Sequence, residues 1–382
     1  MNVPYPVVEI TSTYAGAYAG RQLAEAGLPV LRVELTDAPP LQKLPPFAAT
    51  GESVAWLSAN GKKENLRLDA GTDEGRTLLE GLIAKSAVFL TDDPDWFGSR
   101  SRLITCHMRT NPMSIHHDLP TDDVLVQAMS GALSMTGRPD ESPVPIGIPL
   151  GDVAPGIYAA IGIMNGLIHD EQRLIAVHGL DATASLLSYL GCSYLISGEE
   201  PGLIGSGHPH VVPYGAYRAK DGYIIVAPGF TQAFWRKLCR MLDKAELIDD
   251  PRFLTPVDRR NNREELQAIF KPAFSTRTVD DWAARLDEAD VPSGPYRTFA
   301  RALQQPLVEE RGMVTRVGGH SYLATPLRCN TAEEAGGERP RPGMPWRQIM
   351  ANLGVPPSGI DSLTAQGTVQ PRFTPFSPAE EV

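Results

Sequence analysis

The stretch VVEITSTYAGAYAGRQLAEAGLPVLRV, Val7–Val33, decides the fold. Val7, Val8, Glu9 and Ile10 make a short β-branched strand, and Thr11–Gly16 is a turn of small residues. Ala17–Ala26 reads as a helix closed by Gly27, and Pro29–Val33 is apolar and β-branched again. A strand, a crossover helix and a second strand within roughly 30 residues form a βαβ unit with parallel strands. Leu66–Leu68, a helix over Asp73–Lys85 and Ala87–Leu90 repeat the pattern, and Leu103–Cys106 adds another strand. The first third of the chain is therefore an α/β domain, an open parallel sheet covered by helices.

Further along, Thr121–Gly137 leans helical and ends in a glycine turn, and a proline-rich link, Arg138–Pro149, follows. Gly156–Leu167 and Ala182–Leu195 are strongly apolar helices. The glycine- and proline-rich run from Gly198 marks a domain crossing. Beyond it come a strand over Tyr223–Ala227 and helices over Phe234–Leu242, Arg263–Phe274 and Val279–Asp290, a small α+β domain. The proline- and charge-rich tail holds one helix, Trp346–Leu353, and ends in a loose segment, Thr374–Val382.

At 382 residues the chain exceeds what one hydrophobic core normally supports, so two domains are expected. A formal charge of −10 disfavours nucleic acid, which needs a basic surface, and leaves room for a local pocket that takes an anionic small molecule. No apolar run of about 18 residues suggests a membrane span, and the N-terminus lacks the basic start and apolar centre of a signal peptide. Cys106, Cys192, Cys239 and Cys329 show no paired spacing, which reads as reduced thiols in the cytoplasm.

Motif by motif, most familiar chemistry drops out. The Thr11–Gly20 turn has no G-x-G-x-x-G, although a small-residue turn into a helix can still receive a phosphate or a pantetheine arm. There is no G-x-S-x-G elbow and no Walker loop. His116-His117 and His208-Pro-His210 lack a third ligand at metal-binding spacing and read as polar loop histidines. Asp249-Asp250 before Arg252 reads as a turn with a local ion pair.

One acid remains. PLGDVAPGIYAAIGI, Pro149–Ile163, carries Asp152 as its only charge. With Pro155 in the first turn of the helix, Asp152 suits an N-cap. A carboxylate at a helix N-terminus also sits in a positive dipole field, which suits a nucleophile. Spacing favours capping and leaves both readings open.

Six stretches together resemble the class III coenzyme A transferases. They are AGAYAGRQLAEAGLPVLRVE (15–34), NGKKENLRLDAGTDEGRTLLEGLIAKSAVFL (60–90), DDVLVQAMSGALSMTG (122–137), PLGDVAPGIYAAIGI (149–163), PYGAYRAKDGYIIVA (213–227) and the run from DDPRFL (249–254) to EADVPSGPYRTF (288–299). The resemblance implies a doubly wound parallel-sheet large domain formed by both chain ends, over 1–205 and 301–382. A small α+β domain over 206–300 completes the fold, and two chains pass through each other as an interlocked homodimer.

It further implies that Asp152 attacks an acyl-CoA thioester and that CoA moves to a small organic acid through covalent aspartyl intermediates. Asp123 takes an auxiliary acidic role. Thr13, Tyr14, Ala15, Leu68, Arg100 and Arg102 fall where CoA is contacted. CoA is then a substrate, and no permanent cofactor, metal, nucleic acid or membrane partner is implied. The racemase branch of the family carries His-Asp where this chain has Asp122-Asp123, so transfer is favoured over α-proton exchange. Other positions depart from the family. The usual Asn-Phe reads Asp92-Asp93, two carboxylates that would repel CoA phosphates, and Leu35 replaces a basic residue. The loop between Ile104 and Asp122 is shortened, and the T-G-x-G-Q turn becomes His169–Arg173. These changes keep a non-catalytic or heteromeric homologue, or an acyl-CoA isomerase, as alternatives.

Overall fold

The computed structural model describes residues 7–35, 40–61, 63–93, 104–108, 122–138, 141–169, 174–229, 231–317, 319–327, 346–352 and 354–370. The chain divides into two units. One comprises Met1–Ala132, Pro145–Tyr189 and Arg311–Val382, and the other Leu133–Val144 and Leu190–Glu310.

In the first unit β1 (Val7–Ile10) leads to α1 (Tyr14–Glu25) and β2 (Val30–Leu35), then α2 (Val54–Asn60), β3 (Glu64–Leu68), α3 (Asp73–Lys85), β4 (Val88–Thr91) and β5 (Ile104–His107). It continues through α4 (Asp123–Met129), α5 (Leu150–His169), β6 (Leu174–Ala176) and α6 (Gly179–Ser185). These six strands are parallel in the order β3-β2-β1-β4-β5-β6. The order reverses between β1 and β4, the switch point of a doubly wound sheet.

The second unit takes up α7 (Ser188–Ser197) from Leu190 onward. There follow β7 (Gly215–Arg218), β8 (Tyr223–Val226), α8 (Gln232–Met241), α9 (Pro256–Asn261), α10 (Arg263–Phe274), α11 (Val279–Glu288) and β9 (Ser293–Pro295), with α12 (Phe299–Leu303) and α13 (Pro306–Glu310) closing it. Its three strands form an antiparallel sheet under an aromatic core that includes Tyr217, Trp235, Phe270, Phe274 and Trp282. The chain then returns to the first unit. It forms a hairpin, β10 (Val314–Val317) and β11 (His320–Leu323), followed by α14 (Trp346–Asn352), α15 (Pro357–Ala365) and β12 (Val369–Gln370). β12 pairs antiparallel with β3, while Met350, Ile360 and Val369 join the core of β1–β4 and α3, so both chain ends build this sheet.

Local chemistry explains most boundaries. Thr13 caps α1 by accepting the Gly16 N–H, which starts the helix at Tyr14, three residues before the expected Ala17. Thr72 caps α3 in the same way, with Asp73 and Glu74 in its first turn and Lys85 in its last, each placed well for the helix dipole. The helix expected over Ala182–Leu195 is two, because Ser188 adopts φ 51° between α6 and α7.

Beneath α1 lies a buried ionic knot. Glu9 on β1 accepts from Arg32 on β2 at 2.6 Å and from Lys63 at 2.7 Å. Lys63 also donates to the Ala17 carbonyl of α1 and to Asn60, and Arg32 reaches Glu34 and Thr11. Gln42 and the Trp56 indole N–H complete Glu34. Burial lowers Lys63 to about 8, against the pull of Glu9. Gly20 makes the knot possible: a Cβ there would stand 1.7 Å from Glu9 Oε2. Gly20→Ala is expected to destabilise the protein by roughly 2–4 kcal/mol, since the methyl must displace a carboxylate bound to two cations. Urea-induced unfolding at pH 7.5 measures it, and an unchanged midpoint would refute the packing argument.

Candidate active site

α5 leads into β6, so its N-terminus lies at the carboxyl edge of the sheet, where doubly wound folds receive ligands. It is the one described helix long and apolar enough to cross a membrane by length and composition. Here it is a core helix. Ala154, Gly156, Ala159, Ala160 and Ile163 are buried, and a Cβ on Gly156 would come within 2.9 Å of the Ala15 carbonyl of α1. The two helix N-termini are thereby held side by side.

The helix starts at Leu150 rather than Gly156, and Asp152 is not its cap. Asp152 lies in the first turn, with its own N–H donating to the Pro149 carbonyl at 3.1 Å. The capping carboxylate comes from another element: Asp123 Oδ1 accepts the Gly151 N–H at 2.7 Å, 28 positions away. Fully buried Gln127, one turn further along α4, holds Asp123 in place. Its Nε2 donates to both Asp123 oxygens at 3.0 and 2.9 Å, and its Oε1 accepts the Ile146 N–H at 2.9 Å. Gln127 therefore ties together the acid and the segment that enters α5.

Asp152 is half-buried, and its carboxylate accepts no hydrogen bond among the described residues. Burial, then the charges of Asp123 and Asp122, push it up to about 7 from 3.8. The dipole-favoured carboxylate expected from the sequence is corrected on this point. The first-turn N–H that would favour the anion is spent on Asp123, whose charge in turn works against Asp152.

At the N-terminus of α1, the Asp92 carboxylate accepts the Ser12 N–H at 2.9 and 2.8 Å and the Thr13 N–H at 2.7 Å. Asp92 is buried and turned inward, so it meets amide dipoles where the sequence suggested only repulsion of an incoming phosphate. Thr13 is the cap of α1, the Tyr14 hydroxyl lies 3.1 Å from the Ser58 hydroxyl, and the Ala15 carbonyl meets α5. The structure thus brings Asp123 and Asp152 to one helix end and Thr13–Ala15 to its neighbour. Leu68 is elsewhere, fully buried at the end of β3. Arg100, Arg102 and His116-His117 lie outside the described residues. No group of three or more His, Cys, Asp or Glu side chains among the described residues could hold a metal ion. Sequence reasoning missed Gln127 and the inward role of Asp92. Their partners lie 19 to 21 and 79 to 80 positions away, Asp123 excepted, and leave no local signal.

The doubly wound sheet thus carries two acids, Asp123 and Asp152, at a helix N-terminus on its carboxyl edge, where such folds receive ligands. The chain belongs to CoA-transferase family III, whose profile matches residues 5–345, and it is a transferase by class. It is 30% identical over 330 residues to succinyl-CoA:glutarate CoA-transferase of Homo sapiens, covering 81% of this chain and 74% of that one. It is 30% identical over 334 residues to succinate–glutarate CoA-transferase of Agrobacterium fabrum, covering 80% and 82%. Among solved structures, a CAIB/BAIF family protein from Brucella suis superposes with a TM-score of 0.76 at 29% identity, over 91% of this chain and 98% of that one.

The electrostatics make a direct prediction. Carbodiimide labelling of Asp152, located by peptide mass and followed against pH, is expected to half-titrate near 7. Asp123→Asn removes the stronger of the two like charges and moves that midpoint down. An unchanged midpoint in the variant would show that Asp123 does not act on Asp152.

Proposed function

We propose that this protein transfers CoA between an acyl-CoA thioester and a small carboxylic acid through covalent intermediates on Asp152. The supporting observation is the Asp152 carboxylate itself: half-buried, unbonded among the described residues, and held at a helix N-terminus in a chain of this family. The Asp152 oxygen attacks the thioester carbonyl, the C–S bond breaks, and CoA thiolate leaves a mixed anhydride. The thiolate returns to the Asp152 acyl carbon, the donor acid departs, and an aspartyl-CoA thioester remains. The acceptor carboxylate displaces the thiolate to give a second anhydride. Thiolate attack on the acceptor acyl carbon then releases the new acyl-CoA and restores Asp152. No proton is gained or lost overall, and the cycle uses only Asp152, the thiolate and two acids. CoA is a substrate in this scheme.

The named acids of the relatives, succinate and glutarate, are dicarboxylates, and a small organic diacid is the acceptor class proposed here. Asp123 serves beside Asp152 by capping its helix. Thr13, Tyr14 and Ala15 contact CoA, with Tyr14 and Ala15 offering the first-turn N–H groups that Asp92 does not take. Mixing with succinyl-CoA should add a succinyl or CoA mass located at Asp152, and Asp152→Ala should lower exchange of labelled succinate into succinyl-CoA by at least about 10³-fold. Full exchange in that variant would overturn the mechanism.

The enzyme works as a homodimer in this reading. α4 and α5 expose Val124, Leu125, Met129, Ile161 and Ile168, and α7 exposes Leu195 and Ile196 at 81% and 88%. Apolar side chains exposed to this extent mark a face on each unit that another copy covers. Sedimentation equilibrium should give twice the chain mass. A monomer at micromolar concentration would refute the assignment.

A further inference from the structure

The second unit holds a cavity of about 230 Å³, walled by α7, the loop after it, the His208–His210 turn, and the ends of α9 and α10. Its ionisable lining is Arg260, Arg263 and His210 together with Glu199 and Glu200. Arg260 makes no hydrogen bond, ion pair or ring contact among the described residues. Arg263 braces the turn by donating through one nitrogen to the His208 and Pro209 carbonyls at 2.8 and 3.0 Å. Burial lowers the Arg263 guanidinium from its usual value, and Arg260 adds like-charge repulsion against partial support from Tyr217. Burial also lowers His208, and His210 and Arg263 lower it further. The His208 Nδ1 is already spent on the His210 and Val211 N–H groups, and His210 lines the cavity.

Three basic groups, Arg260, Arg263 and His210, thus line one cavity of a chain whose formal charge is −10. Glu199 and Glu200 also line the cavity. Both are exposed, and neither forms an ion pair with the arginines among the described residues. Arg260, with no partner among the described residues, keeps its whole guanidinium fork for the oxygens of a ligand.

We infer that this cavity is a binding site for a small oxyanion, a carboxylate or phosphate group held between Arg260 and Arg263 with the His210 ring and the Ser193 hydroxyl beside it. A guanidinium fork matches two oxygens of either group. The volume suits a few heavy atoms and falls below the usual range for drug-sized ligands. The site takes up His210 of the His208-Pro-His210 pair, which joins no metal-binding group among the described residues, and gives it a function.

Isothermal titration of the full chain with succinate, and separately with inorganic phosphate, at constant ionic strength tests this. One of the two should saturate in the wild type, and which one identifies the source of the oxyanion. Arg260→Gln should weaken binding at least about tenfold, or about 1.4 kcal/mol, and His210→Asn should weaken it as well. The melting temperature of Arg260→Gln without anion should match wild type, since its side chain holds nothing in place. Asp152→Asn should bind as wild type does, which separates this site from the proposed catalytic one. Three outcomes would overturn the inference: no wild-type binding up to about 10 mM, where a millimolar site would be filled, undiminished binding in Arg260→Gln, or loss of binding in Asp152→Asn.

Discussion

The Glu9 carboxylate is the point on which the first unit is assembled. One oxygen accepts from Arg32 and the other from Lys63, so a single side chain joins β1 to β2 and to the entry of β3. Lys63 then reaches the Ala17 carbonyl and ties α1 down on the sheet. Two buried cations face two buried carboxylates, Glu9 and Glu34, and the hydrogen bonds of Gln42, Trp56, Asn60 and Thr11 satisfy what the ion pairs leave. A knot of this kind adds little net stability over apolar packing, yet removing one member costs about 3–5 kcal/mol because a charge is left stranded. Its effect is on arrangement: no other register of β1 against β2 puts Glu9 between both cations. With α1 fixed, the turn before it meets Asp92, and its first residues meet α5 at Gly156.

That chain of contacts explains what the sequence made legible and what it hid. α3 and α10 were readable to the residue, because Thr72, the acidic first turns and the apolar periodicity all lie within the segment. The parallel order of the sheet was readable from strand–helix alternation, and the ferrying of both chain ends into one domain came from the family resemblance. α5 was misplaced by six residues, because Pro155 resembles a helix start and the true cap, Asp123, belongs to another helix. Asp92 looked hostile to its surroundings because its N–H donors are 79 and 80 positions away. Short-range chemistry is visible in one dimension, and capping across the fold is not.

Asp152 shows the same division. Its position was legible, and its electrostatics were not. Local reasoning gives it the positive end of a helix, which favours the anion. In the folded chain Asp123 takes the Gly151 N–H, and burial and the neighbouring acids hold Asp152 at about 7. The helix therefore still favours an anion at its N-terminus, but the anion it satisfies is Asp123. Gln127 enforces the choice by anchoring both Asp123 oxygens on one side.

Under the proposed mechanism this arrangement favours catalysis. At pH 7 a carboxylate that titrates near 7 is about half ionised, a twofold loss in active form, equivalent to about 0.4 kcal/mol. A carboxylate fully ionised by hydrogen bonds would avoid that loss but would have to give up part of those bonds as its oxygen attacks. Each bond to a charged acceptor is worth about 1.5–3 kcal/mol, so sacrificing even one costs more than partial protonation. In that scheme Asp152 attacks once per exchange and is restored in the last step, so the saving applies once in every turnover. Delegating the cap to Asp123 stabilises the helix N-terminus with one acid and leaves the lone pairs of the other uncommitted.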